Sequence, residues 1–87
     1  MYVLFSLKDQ KQYIGFTTNL KRRFMEHNAG KTKSTAPRRP FRLLFAEVYI
    51  AKADAKRREK YFKTDPGKKT LKLMLKESLK EIDPGKT

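Results

Sequence analysis

Apolar and polar positions follow two different periods along the chain. Tyr2 to Leu7 is an apolar, β-prone run closed by the polar Lys8-Asp9-Gln10-Lys11, and Gln12 to Phe16 is a second β-prone run. Two short strands around a four-residue polar link predict an antiparallel hairpin. Tyr2 and Tyr13 then lie on neighbouring strands. Thr17-Thr18-Asn19 is a cluster of helix-capping residues ahead of Leu20 to Asn28, and Gly30 follows. Cap, body and trailing glycine predict a helix. Ala29 to Pro40 is a basic, turn-rich loop with two prolines. Phe41 to Ile50 returns to strand character and is expected to be the third, central strand.

Ala51 to Thr64 is helical by composition. Ala55, Glu59 and Phe62 fall at i, i+4 and i+7, the inward stripe of an amphipathic helix. Asp65-Pro66-Gly67 is expected to break it. Lys68 to Ile82 is the last predicted helix, with Leu71, Met74, Leu75, Ser78, Leu79 and Ile82 on one face and lysines on the other. Residues 1–82 are expected to form one domain, and 83–87 a frayed tail. The predicted class is α/β (α+β): a small three-stranded antiparallel sheet flanked by helices.

Charge changes this picture most. The 87 residues hold 22 Lys and Arg against 9 acids, for a net charge of +13. A domain this small and this basic is expected to seek polyanions, nucleic acid first among them. A solvated lysine-rich surface and an anionic membrane are the alternatives. There is no run of about 18 apolar residues and hence no membrane-spanning helix. The N-terminus has no secretory leader, so a cytoplasmic location is expected. The chain has no cysteine and one histidine, which excludes disulfides, thiolate nucleophiles and cysteine- or histidine-rich metal sites.

Two positions break the amphipathic rules. Arg23 and His27, four apart, run beside the Leu20/Phe24 anchors and so share the helix stripe that meets the core. Glu59 sits on an apolar stripe among basic neighbours. A buried carboxylate must be paired or bind a cation. From the pattern alone, a salt bridge to Arg22, Arg23 or Lys63, or a place at the solvent edge, is the simpler reading. Together these groups form a kit for phosphodiester chemistry. A carboxylate can hold a divalent cation, an arginine can brace a phosphoryl transition state, and a tyrosine can orient or deprotonate water if nearby cations lower its phenol pKa.

From Tyr2 to Leu79 the sequence resembles the GIY-YIG nuclease superfamily, in particular small stand-alone members similar to the nuclease domain of the bacterial excision-repair incision protein. Tyr13-Ile14-Gly15 matches the second motif, and Tyr2-Val3-Leu4 stands where the first is expected. Asn19 to Asn28 resembles the arginine-bearing helix and Ala55 to Lys63 the glutamate-bearing one. No asparagine follows Asn28, although the family often carries one downstream of its glutamate. The resemblance implies that Tyr2 or Tyr13 activates water and that Arg23 stabilises the scissile phosphate. It also implies Glu59 as the ligand of Mg²⁺ or Mn²⁺, with His27 as a phosphate contact or proton-relay partner.

The implied activity is a metal-dependent endonuclease acting on DNA, structure-directed or of low sequence specificity, in repair or recombination. The alternative is a non-catalytic DNA-binding module on the same scaffold, and an RNA-binding domain is a weaker third. Arg22, Lys31, Lys33, Arg38, Arg39 and Lys63 are the expected DNA contacts. For the loop around Lys31 to Arg39, a disordered surface segment is the competing reading. A monomer is expected, with a protein partner supplying specificity.

Overall fold

The computed structural model describes residues 1–82, so the tail expected at 83–87 lies outside the described residues. β1 (Tyr2–Ser6) is buried at every position, because it is the central strand of a sheet ordered β2-β1-β3 and is covered on both faces. Continuous apolar character is what a strand covered on both faces requires. β2 (Gln12–Gly15) pairs antiparallel with it, placing Tyr2 opposite Gly15 and Leu4 opposite Tyr13. β3 (Phe41–Ala46) pairs antiparallel on the other side, with a register shift between Val3 and Leu4.

The centre of the sheet is therefore β1, not β3. β3 is an edge strand whose Arg42 and Leu43 are exposed, and it ends at Ala46, leaving Val48 and Ile50 exposed in the loop that follows. Its mixed apolar run reads as central only if the pairing order is unknown.

Alternation along β1 separates two cores. Tyr2 and Leu4 pack with Phe41 against Leu20 and Phe24 of α1 (Leu20–Asn28). Met1 and Val3 pack on the opposite face with Phe62, Leu71 and Leu75. Phe62 is fully buried, worth roughly 1.5–3 kcal/mol for a side chain of that size. It ends α2 (Lys52–Phe62), while Leu71 and Leu75 come from α3 (Asp65–Met74) and the residue after it. α4 (Lys76–Ile82) adds Leu79 at the margin of the same core.

Asp65-Pro66-Gly67 does not break the chain but starts α3. Thr64 caps the helix by accepting from the Gly67 N–H at 3.1 Å, and Pro66 stands where the missing donor costs nothing. The single helix expected over Lys68–Ile82 is interrupted at Leu75, and Met74, expected on its inner face, is largely exposed.

α1 begins as its sequence demands, with the Asn19 side chain accepting from Arg22 N–H at 3.1 Å. It ends at Gly30, whose φ of +76° lies in the left-handed region that favours glycine. Gly30 N–H bonds to the His27 carbonyl and Lys31 N–H to the Glu26 carbonyl, closing the last turn. The loop that follows is held in place. Ser6, fully buried, donates from Oγ to the Arg38 carbonyl, and Asn28 exchanges two hydrogen bonds with the backbone of Phe41. A 3₁₀ turn, Ala36–Arg38, lies within it.

Candidate active site

The α1 face of the sheet brings four of the expected residues together. The Tyr2 hydroxyl lies 2.9 Å from His27 Nε2. The Tyr13 ring meets the His27 ring edge-on at 5.1 Å between centroids, and the Tyr2 and Tyr13 rings are 6.3 Å apart. Their convergence follows from local structure. Tyr2 and Tyr13 occupy same-face positions on paired strands, and His27 lies two turns along α1 from Leu20, on the stripe that meets them.

Gly15 completes the fit. A Cβ there would stand 2.5 Å from the Tyr2 hydroxyl oxygen and 2.6 Å from the ring carbon bearing it. The phenol tip therefore occupies space that any other residue opposite Tyr2 would fill.

His27 is fully buried, which bears on one expectation. Its ring has no face open to a phosphate in this structure, against the expected phosphate contact. Its other nitrogen, Nδ1, lies 2.8 Å from Thr35 Oγ1, a partner the sequence reading missed. Thr35 is 1% exposed and also donates to the Thr32 carbonyl at 3.4 Å. A threonine between Ser34 and Ala36 in a basic loop carries no pattern that announces burial.

The ring tautomer sets the direction of both bonds: in the tautomer protonated at Nδ1, the Thr35 hydroxyl gives its proton to the Thr32 carbonyl and Oγ1 accepts from His27 Nδ1–H. Nε2 is then the acceptor for the Tyr2 O–H. Burial first, then the nearby Arg23 cation, pushes the His27 pKa below its usual value, favouring the neutral ring this direction needs. Burial also raises the Tyr2 phenol pKa, an effect that Arg23 opposes.

Arg23 is the charged member of the group. Its own pKa is raised, chiefly by the Tyr2 phenol beside it. Its side chain is 36% exposed, against 69% for Arg22, and reaches Glu26 Oε1 at 3.4 Å. Arg23 thus has one side toward the buried tyrosine and one toward solvent, while Arg22 lies on the surface.

Glu59 stands apart from these four. On α2 it follows the buried Ala55 by one turn, and Ala55 lines a groove of about 370 Å³ that Tyr2 also lines. α2 is oriented by its neighbour Arg58, which holds Glu47 through two 2.9 Å bonds and stacks on Phe62 at 4.4 Å. The Glu59 carboxylate is 22% exposed and binds Lys63 Nζ through Oε2 at 3.0 Å. The salt bridge anticipated for Glu59 is therefore formed, with Lys63 as partner. Among the described residues no donor reaches Oε1.

A single half-buried carboxylate with a free oxygen fits a hard divalent cation that takes its remaining ligands from water and phosphate. Among the described residues, no cluster of three or more His, Asp or Glu could hold a metal unaided.

Among the described residues, the expected DNA contacts divide into cations with no carboxylate partner and committed ones. Lys31, Lys33 and Arg39 are exposed along the loop, Arg39 packing over Gly30. Arg38 is committed. It binds Asp9 at 2.6 Å and the Gln12 carbonyl at 3.2 Å, pinning the loop to the hairpin. That pairing holds the Asp9 carboxyl at about 2, below the usual carboxylate range. Lys63 is the partner of Glu59 already described. Among the described residues, no helix is long and apolar enough to cross a membrane.

Comparison with known proteins places the chain among relatives. The chain is 43% identical over 68 residues to the UPF0213 protein SH2523 of Staphylococcus haemolyticus, covering 77% of this chain and 83% of that one. It is 45% identical over 64 residues to the UPF0213 protein SAG0778 of Streptococcus agalactiae, covering 72% of each. Over 82 residues it is 37% identical to the UPF0213 protein CPE1444 of Clostridium perfringens, covering 93% of this chain and 87% of that one. No solved structure matches the chain. A family model described as the GIY-YIG catalytic domain matches residues 1–72, the span holding Tyr2, Tyr13, Arg23, His27 and Glu59, and the chain belongs to that family.

Proposed function

We propose that this chain is a divalent-metal-dependent endonuclease that hydrolyses phosphodiester bonds in DNA with low sequence specificity. The observation that carries the reading is the buried chain Tyr2–His27–Thr35, whose outer end lies beside the half-exposed Arg23. It is an arrangement for moving a proton inward while an arginine faces the substrate.

The step takes the His27 tautomer protonated at Nδ1, in which Nε2 accepts from the Tyr2 hydroxyl. Tyr2 donates its proton to His27 Nε2; the residue is 1% exposed, so its phenol oxygen would accept from a water only once one is bound with the substrate in the groove that Tyr2 lines. As that water attacks phosphorus, its proton passes to Tyr2 and the Tyr2 proton passes to His27. The imidazolium that results keeps its Nδ1–H on Thr35. The phosphorus–oxygen bond to the leaving 3′ oxygen then breaks. In this reading Tyr2 is the base, and Tyr13, half-buried and edge-on to His27, packs against the relay. Arg23 stabilises charge on the phosphate oxygens, a contribution typically worth roughly 10²–10³ in rate. A cation bound at Glu59 would supply Lewis-acid stabilisation to the leaving oxygen. Lys31, Lys33 and Arg39 would hold the flanking phosphates.

The test is cleavage of supercoiled, nicked and branched DNA with Mg²⁺ or Mn²⁺ by wild type, Arg23→Ala and Glu59→Ala. Activity in the wild type that falls at least about 100-fold in both variants is expected. Equal cleavage by wild type and Glu59→Ala, or none with any substrate and either metal, refutes the enzymatic reading. The Glu59–Lys63 ion pair favours one alternative, a non-catalytic DNA-binding module whose glutamate is purely structural. In that case DNA binding survives Glu59→Ala and no hydrolysis accompanies it.

A further inference from the structure

On the face of the sheet opposite Tyr2 runs a groove of about 650 Å³ between the β1–β2 hairpin and α3–α4. Lys68, Lys72, Lys76 and Lys80 line one wall, Lys11 stands across from them, and Phe5 and Ile14 contribute to the floor. Lys68 and Lys72 on α3, and Lys76 and Lys80 on α4, are each four residues and so about 6 Å apart along their own helix. The interruption at Leu75 does not break the row. Leu75 N–H still bonds to the Leu71 carbonyl and Leu79 N–H to the Leu75 carbonyl.

This row breaks a local rule without a visible gain. Like charges four apart weaken a helix, and two such pairs follow one another here. α2 has a shorter row of this kind, Lys52, Lys56 and Lys60, but interleaves it with the ion pairs Asp54–Arg57 and Glu59–Lys63, whereas among the described residues α3 has no ion pair. In the groove, among the described residues, only Lys80 has a carboxylate partner, Glu77 at 3.8 Å. The neighbouring apolar ladder of Leu71, Leu75 and Leu79 is already packed on the sheet, so the lysines do not flank a free apolar face. A local conflict of this kind points to function.

We infer that this groove is a second phosphate-backbone site, and that it takes a DNA duplex separate from the one at Tyr2. Charge complementarity selects DNA, and this choice rests on the proposed function only in naming DNA as the polyanion. Topology makes the duplex a separate one. Phe5 and Ile14 alternate with Leu4 and Tyr13, so the sheet itself stands between the two sites. DNA stays stiff over roughly 150 base pairs, so one short duplex does not wrap from face to face. The protein would then hold two DNA segments at once, one presented for cleavage and one as an anchor.

The experiment is calorimetric titration of the intact chain with a short blunt duplex, without metal and at low salt. Wild type is expected to bind two duplexes, and K68E/K72E/K76E one. The lost site should carry a salt dependence of roughly 0.9 in log–log slope for each lysine–phosphate contact. K8E/K60E/K69E, which changes net charge equally outside the groove, is expected to keep two. Melting curves confirm that both variants fold. A single duplex on the wild type overturns the inference, as does an unchanged stoichiometry in K68E/K72E/K76E or equal losses in the two variants. No cleavage is read, so failure of the nuclease reading and failure of this one are separate results.

Discussion

Thr35→Val removes one oxygen and keeps the volume of the side chain. That oxygen is the only partner His27 Nδ1 has among the described residues, at 2.8 Å. Both groups are shielded, with His27 at 0% and Thr35 at 1% exposure, so water cannot replace it. An unsatisfied buried donor costs about 1–3 kcal/mol. In a domain of this size each kcal/mol lowers the melting temperature by about 4–8 °C, so a drop of roughly 5–20 °C is expected.

The ring is also released from its tautomer. If the proton moves to Nε2, the Tyr2 bond reverses and His27 can no longer take the phenol proton. General-base assistance is worth about 10²–10⁴, and losing its orientation should forfeit about 10- to 100-fold of it. Thr35→Ser, which keeps the hydroxyl, should recover most of the rate.

His27 is the only histidine, so ¹⁵N-resolved NMR reads its tautomer without ambiguity. Wild type should show Nδ1 protonated and Nε2 bare at neutral pH. The folded pKa of His27 is depressed, so below about 6.5 the unfolded chain binds a proton that the folded chain resists. Stability is therefore complete above that pH and declines as pH falls toward the folded pKa. Cleavage by the folded enzyme should weaken only at lower pH, as pH falls through the depressed folded pKa and the ring becomes charged. A wild-type ring protonated at Nε2 alone, or a Thr35→Val variant with unchanged tautomer and rate, refutes the relay direction.

Gly15→Ala should displace the Tyr2 phenol, because a Cβ 2.5 Å from its oxygen finds the ring fully enclosed. A stability loss of about 1–3 kcal/mol is expected by denaturant titration, with at least about a tenfold loss of cleavage. The Asp9–Arg38 bond should make the loop acid-sensitive. The Asp9 pKa is lowered to about 2, so its stabilisation is full above about 4 and is lost as pH falls through 2. Arg38→Ala should abolish that acid limb in melting curves from pH 2 to 5. Lys63→Ala should free the second Glu59 oxygen at a stability cost of under about 0.5 kcal/mol, as for an exposed helical pair. Half-activation by Mn²⁺ should then need about half as much metal, whereas a rise in KM for DNA alone would place Lys63 on the phosphate backbone.

The sequence displayed local features and hid long-range ones. The hairpin, the Asn19 cap, the Gly30 terminus and the inward lean of Arg23 all rest on neighbours within a few residues, and each is present. Strand order is not local. β1 and β3 are both apolar, and only the pairing of Tyr2 with Ala46 and Gly15 at once shows which is central. Thr35 was illegible for the same reason. Its importance comes from lying eight residues after His27, across a loop whose fold depends on Ser6, Asn28 and Arg38. The helix start at Asp65 was misread because Asp-Pro-Gly serves equally as a turn or as a first helical turn, and the Thr64 cap decides between them.

A buried histidine with both nitrogens bonded can be no more than well-satisfied structure. Energetics separates that reading from the catalytic one. Replacing a whole buried polar network by apolar groups of similar shape is often neutral or stabilising, whereas breaking one member is costly. A network kept only for stability therefore has little reason to persist. This one ends at Arg23, a half-exposed cation whose pKa is raised chiefly by the Tyr2 phenol beside it. The combined variant Tyr2→Phe/His27→Leu/Thr35→Val should fold with stability within about 1–2 kcal/mol of wild type and cleave nothing. Loss of several kcal/mol would make the network structural. Retained cleavage would place the base elsewhere, with Tyr13 the remaining phenol on that face.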